Sequence, residues 1–152
     1  MGLNIQDLAI SSSDFDPGGP LPDRHAYDQG NAAPTLRISG VPEDAVELAL
    51  ICHDPDAPLP WGFTHWTLYG LPADTTEVTA ASDERFRPGP NGFGEHGYGG
   101  PLPPAGHGTH HYYFWVYALS SEVEGAPTRE EFLQRYGDAI IEQNRVVGTY
   151  EN

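Results

Sequence analysis

Tyr98-Gly99-Gly100-Pro101-Leu102-Pro103-Pro104-Ala105-Gly106-His107-Gly108-Thr109-His110 runs directly into His111-Tyr112-Tyr113-Phe114-Trp115-Val116-Tyr117-Ala118-Leu119. The first half is mostly Gly and Pro, with few side chains to pack. The second half is dense in aromatic and β-branched residues and predicts the strongest strand of the chain. Glycine lacks the Cβ that keeps a ligand away from backbone N–H groups. The junction, marked by His110, therefore predicts one wall of a small-anion pocket.

Upstream, further strands are predicted around this one. Residues 45–53 alternate, with Val46, Leu48, Leu50 and Cys52 on one face and Glu47, Ala49, Ile51 and His53 on the other. Asp54-Pro55-Asp56-Ala57-Pro58-Leu59-Pro60 ends that strand, because proline donates no ladder hydrogen bond. Residues 63–71 form the next, with shorter strands predicted at 4–10, 35–39 and 75–79. Residues 81–109 read as one long irregular segment, a length that in a compact domain points to function. Downstream, Thr128-Arg129-Glu130-Glu131 has the spacing of a helix capping box. Phe132, Leu133, Tyr136, Ile140 and Ile141 continue it as a helical stripe over residues 128–147, with Gly137 weakening its middle. That stripe reads as packing, with a homodimer interface as its other use. Residues 146–150 fit a last turn or an edge strand. The outcome is a mainly β single domain over residues 1–152, a Greek-key β-sandwich with one C-terminal helix.

Composition limits the partners. The chain of 152 residues carries a formal charge of −15, with seven Arg and no Lys. A field of that sign opposes nucleic acid and anionic membranes, and no run of about 20 apolar residues exists for membrane insertion. The acidity fits either a solubilising surface or a salty cytosol. An anion pocket would have to overcome this field with nearby donors. One cysteine, Cys52, forms no internal disulfide, and with no basic leader at the start the expected location is cytoplasmic.

Chemistry gathers at strand ends: Asp54 and Asp56 after one strand, His65 early in the next, His110 opening the last. Two imidazoles and a carboxylate would then meet beside the Gly/Pro loop and bind a phosphate or carboxylate, more tightly as pH falls through the histidine range. His107 and His111 read as surface residues. Although they invite a metal reading with His110, a closed zinc site wants four ligands, so no metal and no cofactor are expected. The alternative is a hydrolase or lyase using His65 and His110 as acid and base. No Gly-x-Ser-x-Gly elbow accompanies them.

Asp54-Pro55-Asp56-Ala57-Pro58, Thr64-His65-Trp66, and Gly97-Tyr98-Gly99-Gly100-Pro101-Leu102-Pro103-Pro104 with His110-His111-Tyr112 resemble the phosphatidylethanolamine-binding protein family, also called the Raf kinase inhibitor protein family, in its prokaryotic branch. Ser13-Asp14-Phe15 and Asn31-Ala32-Ala33-Pro34-Thr35-Leu36 extend the likeness over nearly the whole chain. The resemblance implies a β-sandwich with a large antiparallel sheet and a pocket for phosphate or phosphorylated head groups, with regulation of a protein partner as a further role. The matching pocket positions are Asp54, Asp56, Pro58, His65, Gly100, Pro104, His110 and Tyr112. It also implies a cis Ala57–Pro58 bond turning Asp54 toward the site. His111 stands where the family usually has Arg, and Phe63 replaces a common Trp. The eukaryotic C-terminal helix is unmatched, which implies a more open site.

Overall fold

The computed structural model describes residues 5–152. Two antiparallel sheets organise it. The smaller has the order β1 (Ala9–Ser12), β2 (Leu36–Ser39), β5 (Glu77–Val78). The larger has the order β6 (Arg87–Pro88), β4 (Phe63–Pro72), β3 (Glu47–Asp54), β7 (His110–Leu119), β8 (Ile140–Tyr150). The chain leaves β4 and returns on the far side of β3 to form β7, a Greek-key-type crossover. The connection carries β5, a single helical turn α1 (Ser82–Arg85) and β6, so residues 81–109 are less irregular than their composition suggests.

Both faces of the large sheet are covered, which is why its central strands alternate between two apolar sets. Leu48, Leu50 and Cys52 of β3 join Phe114, Val116 and Ala118 of β7 in the core shared with Ile10, Leu36 and Ile38 of the small sheet. Ala49, Ile51 and Tyr117 face the other way, onto Phe132 of helix α2 (Arg129–Tyr136). Val46 stays 50% exposed, ahead of the strand proper. The first strand begins at Ala9 rather than residue 4. Of its expected span, Asn4 lies outside the described residues.

Helix α2 starts as its sequence predicts. The Thr128 Oγ1 accepts the Glu131 N–H at 3.1 Å, and Glu131 Oε1 accepts the Thr128 N–H at 2.9 Å. It stops at Tyr136, however, and residues 140–150 form an eleven-residue strand where a helix over 128–147 is predicted. The reason is on the strand's inner face. Its alternation is hidden because two inward positions are polar: Glu142, 6% exposed, and Asn144. They hold the backbone of Leu8, Glu142 Oε1 accepting its N–H at 3.0 Å and Asn144 Nδ2 donating to its carbonyl at 2.9 Å. Pairing along all of β7 then outweighs the helical stripe. Replacing Glu142 with Ala strands the Leu8 N–H and is expected to cost about 1–3 kcal/mol in urea unfolding. A loss below about 0.5 kcal/mol would mean that this contact does not anchor the N-terminal segment.

Candidate functional site

The site lies at the end of the large sheet where β3, β4 and β7 project Asp54, His65 and His110. A register shift aims the second of these. Pairing passes from Cys52↔Trp66 to His53↔Thr64, leaving His65 as the extra residue of a β-bulge. The bulge turns its ring to the side of Asp54 and Tyr112, with the His65 and Tyr112 ring centroids 5.1 Å apart. Nothing in residue spacing signals that irregularity.

A cavity of about 230 Å³ opens here, and Asp54, Pro58, His65, Pro104, His110 and Tyr112 all line it. Phe63, Phe93, Leu59, Leu102 and Pro103 make the rest of the wall largely apolar. At its base, His110 Nδ1 lies 2.6 Å from Asp54 Oδ2, both side chains 3% exposed. The ring therefore donates Nδ1–H to the carboxylate, and its Nε2 is the nitrogen left for other partners. Asp54 Oδ1 accepts the Asp56 N–H at 2.8 Å. This Asx turn bends the chain after β3, and no cis peptide bond occurs among the described residues, Ala57–Pro58 included. The expected cis bond is thus absent, its bending role taken by the turn.

His65 is held differently. Its Nδ1 donates to the Gly99 carbonyl at 2.7 Å, while its own carbonyl accepts the Gly99 N–H at 2.8 Å. Burial lowers its pKa to about 4, against smaller raising contributions from the Gly99 carbonyl and the Asp54 carboxylate. At neutral pH it is uncharged, with Nε2 an acceptor. Burial, with the nearby Asp54 charge adding to it, pushes the Tyr112 phenol upward, so it remains a neutral hydroxyl.

Two of the expected pocket positions do not line the cavity. Asp56 sits on the rim, its Oδ2 accepting both the backbone N–H of His111 at 2.8 Å and its ring Nδ1 at 2.7 Å. Burial works against its charge, but these His111 contacts bring its pKa below the usual carboxylate value. Gly100 lies behind the wall. A Cβ there would stand 1.8 Å from the His25 carbonyl oxygen, so the glycine serves close backbone packing. Its N–H donates to Asn31 Oδ1 at 2.7 Å. The amides of Gly99 and Gly100 are therefore spent within the protein, contrary to the expected wall of bare N–H groups. Prolines and Leu102 take their place.

His107 lies at the surface as expected, but its contact with His110 is not foreseen from the sequence. It is exposed, yet its Nδ1 lies 2.7 Å from His110 Nε2. Asp54, His110 and His107 thus form a continuous chain of hydrogen bonds from a buried carboxylate to the surface. Its only sequence signal is position, three residues before His110. Beside the cavity, sharing Leu59 and Phe63, runs a wider groove of about 570 Å³ reaching Arg129 and Glu130. Trp61, 73% exposed, stands on its edge. Among the described residues no cluster of three or more His, Cys, Asp or Glu side chains has a geometry fit for a metal ion. No helix among them is long and apolar enough to cross a membrane.

Two antiparallel sheets, a capped helix on the outer face and an acid–imidazole cavity at the sheet end define a β-sandwich with an end pocket. The sequence model of the phosphatidylethanolamine-binding protein family matches residues 11–151. A UPF0098 protein of Aquifex aeolicus is 35% identical over 95% of this chain and 88% of its own length. One from Archaeoglobus fulgidus is 34% identical over 95% of this chain, which spans only about half (51%) of that relative. The crystal structure of Escherichia coli YbcL, a member of the mammalian PEBP family, superposes with a TM-score of 0.88 at 31% identity, covering 97% of this chain and 99% of that one. The chain belongs to the phosphatidylethanolamine-binding protein family.

Proposed function

We propose that the protein is a binding module that holds a small oxyanion, a phosphate or a phosphorylated head group, in the cavity between Asp54, His65, His110 and Tyr112. The observation carrying this is the Asp54–His110 pair. As imidazolium, His110 donates one N–H to the buried carboxylate and offers the other to the cavity. His65, neutral with Nε2 as acceptor, takes the P–OH of a singly protonated phosphate or an ammonium proton of an ethanolamine-type group. Burial takes His65 out of the neutral titration range, so it meets the ligand as a neutral ring. The apolar wall suits the organic part of such a ligand better than bare inorganic phosphate.

Binding is favoured over catalysis by the lining itself. No serine or cysteine stands among the residues around the cavity, and Cys52 is buried in β3, facing the core between the sheets. The test is calorimetric titration at pH 6 with inorganic phosphate and with phosphoethanolamine. His110→Ala is expected to weaken both by at least tenfold, since a charge-assisted hydrogen bond contributes about 1.5–3 kcal/mol. Tighter binding of phosphoethanolamine than of phosphate would assign the ligand to the head-group class. Unchanged affinity in the variant would remove the proposal.

A further inference from the structure

The chain of hydrogen bonds does not end at the cavity. His107 occupies His110 Nε2, the atom that the anion reading requires, at 2.7 Å. An imidazole nitrogen carries one lone pair or one proton, so it makes one good hydrogen bond at a time. The ring that contacts it sits on a short strap, Gly106-His107-Gly108. Both glycines have positive φ, +76° and +88°, and no heavy atom lies within 4 Å of where a Cβ would stand on either. The two rings approach at 4.9 Å between centroids, tilted rather than packed flat. What holds the strap is sparse: the His107 N–H to the Pro104 carbonyl at 3.1 Å, and the Gly106 N–H to the Asn152 carbonyl at 3.4 Å. By contrast His110 is locked on β7 and against Asp54. Any exchange of partners at Nε2 must therefore move His107.

We propose that His107 is a built-in competitor for the anion: its imidazole closes the cavity by bonding His110 Nε2, and an incoming oxyanion takes that bond and releases the Gly106–Gly108 strap. The inference rests on the anion reading above and adds to it an autoinhibitory contact and a moving part. The competitor explains how an imidazole beside a buried carboxylate is kept satisfied in the absence of ligand. It also makes the empty cavity selective, because only a group that accepts strongly from His110 displaces the latch. A phosphate oxygen does so; a neutral hydroxyl or carbonyl gives little advantage over the imidazole it replaces.

The experiment compares phosphoethanolamine affinity of the full chain with that of His107→Ala by calorimetry. Because His107 is exposed, the variant is expected to fold as the parent does. Removing the competitor is expected to tighten binding about three- to tenfold, the value of one hydrogen bond no longer broken on binding. In the unmodified chain, ligand addition is expected to move the His107 ring nitrogen resonances to those of a free, solvated histidine. Equal or weaker binding by His107→Ala, or ring resonances of His107 that stay put at saturation, overturns the latch while leaving the anion site standing. Absence of binding in both proteins overturns the anion site, and the latch with it.

Discussion

Asp54→Ala is expected to lower the unfolding free energy by about 3–6 kcal/mol, because it removes a buried carboxylate that accepts two hydrogen bonds, each contributing about 1.5–3 kcal/mol to a charged group. Asp54 is 2% exposed and His110 3%. The substitution leaves the His110 Nδ1–H and the Asp56 N–H, held at 2.6 and 2.8 Å in the native protein, without acceptors. Asp54→Asn keeps an oxygen for one of them and almost the same volume. It is expected to lose less than half as much. Urea unfolding of the two variants at pH 7 separates these effects. If both lose under about 1 kcal/mol, the acid–imidazole pair is not what shapes this end of the sheet.

The second large effect is on acid stability, and His65 produces it. Burial places its native pKa at about 4, below the ordinary histidine value of 6.5. Between those two values the unfolded chain binds a proton that the native ring refuses. Stability is therefore fully present above pH 6.5 and falls as pH drops toward 4, by about 3 kcal/mol from this group. His53 adds a loss of the same sign, its pKa lowered to about 4 by burial and by the nearby Arg129 charge. His65→Asn keeps an N–H for the Gly99 carbonyl and removes the titration. Its stability between pH 6.5 and 4 should fall less steeply than that of the parent by about 3 kcal/mol. Parallel pH profiles would mean that His65 is protonated in the native state well above pH 4.

How far this could be read from residues alone depended on whether local pattern and tertiary context agreed. They agree in β3, β4 and β7, where alternation is set by a core on both faces. The strand ends then carry Asp54, His65 and His110 together without further help. They disagree at residues 140–150. A helical stripe from Phe132 to Ile140 and two inward polar residues, Glu142 and Asn144, conceal a strand whose partner is β7. The bulge that aims His65 is a property of pairing between β3 and β4, and no single stretch encodes it. Gly100 and Asp56 belong to the family pattern for reasons other than facing the cavity. Gly100 makes room for the His25 carbonyl, and Asp56 ties the turn after β3 to His111. For His107 the sequence offers only its place three residues before His110, because the contact exists only once the loop has folded back on β7.

The most direct test is a crystal structure with phosphoethanolamine bound at pH 6. The account predicts a phosphate oxygen within hydrogen-bonding distance of His110 Nε2, His107 turned away, and the organic end against Phe63 and Leu102. A phosphate seated beside Arg129 in the neighbouring groove, with the His107–His110 contact intact, would contradict it.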